Sequence, residues 1–162
     1  MTEKPDRLAS YKKTLLDYYE EEIMGEAYFN SLAGQYEGVG EGEKMRLLAM
    51  VERRAAAVMK PLLQKYGLEP RDDETLHGLG EMDAWATSEK YSWLQFMTYM
   101  VERYPGYVDD FVALEQAAPE ADVPALKILT EHEIVAIEFA QKEIAGKADS
   151  TQPLCNYLGL GK

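Results

Sequence analysis

The chain has 162 residues, enough for one domain with a sizeable core, and its 46% hydrophobic and 28% charged composition is that of a globular protein. Acids outnumber bases 29 to 17, a net charge of −12, which argues against nucleic acid and anionic membrane surfaces as partners. The single cysteine, Cys155, excludes an intramolecular disulfide, a zinc finger and CxxC redox chemistry. No apolar run is long enough to predict a transmembrane helix, and the charged start MTEKPDRLAS predicts no signal peptide, so a cytoplasmic location is expected.

Apolar residues at helical spacing predict a first helix from about Pro5 to Gly34, and the glycines of GVGEG interrupt it. A second helix is expected from Glu43 to Tyr66, stopped by Gly67 and Pro70. The polar stretch from Glu69 to Trp85 predicts a long connection, with room for a short helix at its end. A third helix is expected from Ser88 to Gln116, kinked at Pro105, where a backbone donor is missing. The fourth runs from Val123 to Ile144 and stops at Gly146. Period-2 alternation is absent, so the fold class is all-α, a four-helix bundle over residues 1–146. Residues 147–162 read as an irregular C-terminal tail. A longer connection between helices 2 and 3 matches the crossover of ferritin-like bundles.

Three of the helices carry one acid each on an otherwise apolar seam. The first seam is Leu8, Tyr11, Leu15, Tyr18, Glu22, Gly25, Phe29 and Leu32. The second is Met45, Leu48, Glu52, Ala55, Met59, Leu62 and Tyr66. The fourth helix has Leu126, Leu129, Glu133, Ala136 and Ala140. Glu22, Glu52 and Glu133 sit near the middle of their helices, so an antiparallel bundle brings them to one level. Buried carboxylates each cost several kcal/mol unless protonated, paired or bound to a cation. No Lys or Arg occupies these seams, so a multivalent cation is the economical partner, and an oxygen-rich site suits iron, manganese or magnesium.

The string Glu22-Ile-Met-Gly25-Glu-Ala-Tyr-Phe29-Asn-Ser-Leu32-Ala33 resembles the first helix of rubrerythrin-type proteins. The Tyr104-Pro105 step is similar to a Tyr-Pro step in that family's third helix. The resemblance implies a ferritin-like carboxylate bundle holding two metal ions, iron or manganese, for oxygen or peroxide chemistry or metal oxidation. It places ligands at Glu22, Glu52 and Glu133. Ala55 and Ala136 stand where the family's Glu-x-x-His motifs put histidine, and His132 is a candidate displaced ligand. The family's third-helix acid has its nearest counterpart in Glu102, at mid-helix but on a polar stripe with Ser92, Gln95 and Thr98.

Three functions fit these residues. The first is a metal oxidoreductase using O₂ or peroxide, with an external electron donor, since no rubredoxin-like cysteine domain is present. The second is a non-catalytic helical scaffold with a metal-free, hydrogen-bonded acid cluster, binding a small molecule or a partner. The third is iron storage in a cage. A homodimer is the assembly that analogy with such bundles suggests.

Overall fold

The computed structural model describes residues 3–161, with side chains from Asp6 onward. Among these residues there are six α-helices and no strand: α1 (Glu3–Gln35), α2 (Glu41–Lys65), α3 (Asp73–Lys90), α4 (Trp93–Ala117), α5 (Val123–Ile144) and α6 (Gln152–Leu158). The expected all-α bundle is therefore the fold. No helix among the described residues is long and apolar enough to cross a membrane.

Local chemistry explains the helix ends. Gly40, at φ 75°, turns the chain into α2, and Glu41 and Glu43 oppose the helix dipole in its first turn. Ser92 and Gln95 form a reciprocal capping box at the start of α4, with Ser92 N–H donating to Gln95 Oε1 at 2.9 Å and Gln95 N–H to Ser92 Oγ at 3.3 Å. The helical span of α4 runs on through Pro105.

Contacts between helix ends establish the topology. Tyr11, early in α1, packs edge-on against Tyr66 at the end of α2, with ring centroids 6.0 Å apart. Trp93, at the start of α4, donates to Glu143 near the end of α5 at 2.9 Å. Lys44, early in α2, meets the same carboxylate at 2.7 Å. Tyr18 stacks edge-on on Phe111 at 5.1 Å, and Tyr28 lies 6.3 Å from Phe96, so α1 and α4 are also antiparallel. In chain order α1, α2, α4 and α5 run up, down, down, up. Two consecutive helices in one direction require a connection as long as the bundle.

That connection is α3, and here the expected polar loop is corrected. Its 18 residues span about 27 Å at 1.5 Å each and pack along α1. Asp72 caps it by accepting from Thr75 N–H at 2.8 Å. Its inner stripe is Leu76, Gly80 and Ala84, small enough for close approach. A Cβ on Gly80 would lie 2.1 Å from the carbonyl oxygen of Met24, so glycine sets the α1–α3 spacing. The irregular tail is likewise corrected: Pro153 opens the short helix α6, which packs on α5 and α2, and Gly159 closes it at φ 73°.

The core is in two parts. One cluster includes Phe29, Met45, Leu48, Phe96, Met100 and Phe139. The other includes Tyr11, Leu15, Ile23, Met59, Leu126 and Leu129. Leu8, expected on the core seam, is 40% exposed. Each end of the bundle is tied by a carboxylate. Asp122 is buried and accepts from Tyr11 at 2.7 Å, Tyr66 at 2.6 Å and Lys65 at 2.6 Å. At the other end Glu143 accepts from Trp93, from Lys44 and from Ser150. Between the two apolar clusters lies a polar layer.

Candidate metal centre

The polar layer is made by Glu22 of α1, Glu52 of α2, and His132 and Glu133 of α5. His132 is 1% exposed and its Nε2 lies 2.7 Å from Glu22 Oε1, 2.9 Å from Glu52 Oε2 and 3.1 Å from Glu133 Oε2. The four side chains reach one point because mid-helix positions of antiparallel neighbours share a level. Adjacent residues 132 and 133 diverge by about 100° on a helix, yet both are buried, because α5 packs against both α4 and α2.

The tautomer of His132 follows from its other nitrogen. Nδ1 is in close contact with the carbonyl oxygen of Leu129, which only accepts, so Nδ1 carries a proton. Nε2 then presents either a lone pair or a second proton to three carboxylates. A bare lone pair facing three anions is repulsive. The burial of the ring alone would lower its pKa, but the charges of Glu22 and Glu52 override this and hold it well above the ordinary value. Burial, reinforced by Glu22, pushes Glu52 up to about 8. Burial also raises Glu133, with Glu52 adding to the shift and His132 opposing it.

Two observations bear on whether these residues fit a metal ion. First, Glu22 Oε1 and His132 Nε2 are buried without a hydrogen-bond partner, despite their closeness. The carboxylate oxygens surround Nε2 but do not lie where an N–H would donate to them. Second, the spacing is right. Neighbouring ligands around an ion at about 2.1 Å stand about 3 Å apart in an octahedral arrangement, against 2.7 and 2.9 Å for Nε2 to Glu22 and Glu52. One ligand atom from each of Glu22, Glu52 and His132 lies within 4.8 Å of the others. A donor set of carboxylate oxygens and one imidazole suits iron or manganese. The Leu129 carbonyl contact fixes the ring in the ligating tautomer.

Gly25 completes the seat. A Cβ there would stand 2.0 Å from Glu52 Oε1, so the missing side chain leaves room for that carboxylate against α1.

The sequence-expected residues divide clearly. Glu22, Glu52, His132 and Glu133 come together. Glu102 does not: it is exposed on α4, whose buried positions are Phe96, Met97, Met100, Tyr104, Phe111 and Leu114, and this corrects its place among the candidate ligands. Ala55 and Ala136 are buried, and no imidazole projects from them. Glu20 is 8% exposed under Arg71, whose N–H, Nε and Nη2 donate to it at 2.8, 3.2 and 2.9 Å. Glu26 pairs with Arg53 at 2.9 Å and stands 3.4 Å from His77. A cavity of about 230 Å³ adjoins the cluster, bounded partly by Tyr18, Tyr104 and Phe111. Tyr104 carried no functional signal in the sequence beyond its place before Pro105. Compared with protein-family models, with curated proteins and with solved structures, the chain matches none.

Proposed function

We propose that the chain is a ferritin-like metal protein, akin to the rubrerythrin type, that holds iron or manganese at mid-bundle for oxidation chemistry with O₂ or peroxide. The single observation that carries the reading is the pair of buried, unpartnered atoms, Glu22 Oε1 and His132 Nε2, inside a ring of carboxylates. Glu22, Glu52 and His132 would hold the ion, with Glu133 beside them. The ion, when bound, supplies one-electron redox chemistry. The chain's own residues do the rest. Gly25 leaves space for the Glu52 carboxylate, Leu129 pins the imidazole, and Phe29, Leu48 and Phe111 give the adjoining cavity part of its apolar wall. An external electron donor, a homodimeric assembly and a cytoplasmic location belong to the same proposal.

The test is metal content. The purified protein is reconstituted anaerobically with Fe²⁺ or Mn²⁺, desalted, and measured by plasma mass spectrometry beside Glu52→Ala and Glu102→Ala. Near-stoichiometric metal in the wild type and Glu102→Ala, lost in Glu52→Ala, is the expected result. No retained metal in any of the three overturns the reading.

A second reading is favoured by the 2.7 to 3.1 Å contacts themselves: a metal-free cluster in which an imidazolium at His132 neutralises the acids. It requires His132 to carry protons on both nitrogens at neutral pH, which the ¹⁵N shifts of the ring report directly.

A further inference from the structure

The cavity beside the cluster reaches from buried to exposed side chains. At one end it is bounded by buried Glu22 and Glu133, at the other by exposed Glu21, Tyr107 and Asp110. It opens between α1 and α4, which pack loosely, whereas α1 packs closely on α2 and α3, and α4 on α5. Five of the residues bounding it are acids, Glu21, Glu22, Glu52, Asp110 and Glu133, and none is Lys or Arg. The ion pairs at Lys13, Arg53 and Lys127 are with other acids, and Arg7 shares a neighbouring cavity with Asp110. On the α3 side of α1 the situation differs, because Arg53 and His77 stand at Glu26. The cavity, about 230 Å³, has room for several waters. At the inner end waits a buried acceptor, Glu22 Oε1, with no hydrogen-bond partner.

We infer that this cleft is the entry port for a hydrated divalent cation, and that Glu21 and Asp110 form its outer station. The inference rests on the metal-centre reading above. Low-dielectric walls lined by one sign of charge focus the field and raise the local concentration of the opposite ion, by factors of about 10 to 10³ in rate. Glu21 and Asp110 draw the ion in and replace part of its water. Glu133 then hands it to Glu22, Glu52 and His132. Organic anions are repelled by the same residues, so the port selects metal cations over acidic metabolites.

The test uses Co²⁺, whose visible absorption reports coordination, in a stopped flow with the metal-free protein. The variants are Glu21→Gln/Asp110→Asn and, as an equal change in net charge elsewhere, Glu102→Gln/Glu131→Gln on exposed positions. At low salt the port variant should load at least about 10-fold more slowly, and the gap should close at high salt. Its equilibrium Kd should stay within about threefold, so release slows nearly in proportion. The control variant should load like the wild type. Loading of the port variant at the wild-type rate overturns the port and leaves the centre standing. Equal slowing in both variants assigns the effect to overall charge and also overturns it. A wild type that holds no Co²⁺ at equilibrium, and no Mn²⁺ or Fe²⁺ either, overturns the centre and the port together.

Discussion

Replacing Gly25 with alanine tests the seat of the Glu52 carboxylate without removing any ligand. Two effects compete. Alanine is favoured over glycine in a helix interior by about 1 kcal/mol. Against this, the new Cβ would lie 2.0 Å from Glu52 Oε1, 2.9 Å from Cδ and 3.2 Å from Cγ. Ordinary contacts lie at about 3.5 Å or more, so the carboxylate must withdraw by roughly 1.5 Å. Its other oxygen stands 2.9 Å from His132 Nε2, and a shift of that size breaks the contact. The side chain is flexible and 14% exposed, so it can give way without moving α1. Metal-free Gly25→Ala is therefore expected to fold, with stability within about 1 kcal/mol of the wild type in urea unfolding. Its Mn²⁺ affinity is expected to fall by about 10-fold to 100-fold, or about 1.4 to 2.7 kcal/mol, by calorimetric titration. Gly78→Ala in α3, where a Cβ meets nothing within 4 Å, provides the reference for propensity alone. A Gly25→Ala protein that binds Mn²⁺ as tightly as Gly78→Ala would refute the seat.

Gly80→Ala should go the other way from Gly78→Ala, losing about 1 to 3 kcal/mol in the same urea series, because backbone atoms of Met24 and Tyr28 stand within 3.1 Å of the new Cβ. Asp122 is ion-paired and hydrogen-bonded, and although burial pushes its pKa up, donation from Lys65, Tyr66 and Tyr11 holds it below 3.8. Its contribution is thus complete above about pH 4 to 5 and is lost as pH falls through the folded value, since the unfolded chain takes the proton first. Asp122→Ala should cost about 2 to 4 kcal/mol at pH 7 and flatten the acid limb of a pH series of thermal melts. Glu52 shows the opposite sign. With its pKa raised from 4.5 to about 8, the metal-free folded state holds a proton that the unfolded state has released, so stability falls as pH rises across that window. Glu52→Gln should remove a slope on the order of 2 to 4 kcal/mol, read from chemical unfolding at pH 5 and pH 8.

The mid-bundle acids were legible because an acid on an apolar stripe is conspicuous: Glu22 interrupts a run of leucines and aromatics, and Glu52 and Glu133 interrupt runs rich in leucine and alanine. His132 was harder to place, since it precedes Glu133 by one residue and falls at the edge of the same stripe. Only packing on two sides of α5 buries it. Helix α3 was illegible for a definite reason. Its inner face uses Gly80 and Ala84 instead of bulky residues, so the stripe carries almost no hydrophobic signal. The Asp72–Thr75 cap was its one readable mark. For α6 the marks were Pro153 at the start and Gly159 at the end. Glu102 failed on phase: mid-helix is the right height, but its side of α4 faces solvent. The seat at Gly25 and the cleft past Asp110 depend on distances between helices, which no single helix's pattern encodes.

The division of the core into two apolar clusters has a mechanical consequence. Hydrophobic burial is local, and a charged layer transmits little of it from one cluster to the other. Each half has its own carboxylate anchor, Asp122 at one end and Glu143 at the other. The halves are thus expected to behave as two units sharing four helices, so that amide exchange from opening at one end need not carry the other with it. Whatever neutralises the central layer also acts as the coupling between them, so the same buried acids and imidazole set how far a local opening spreads.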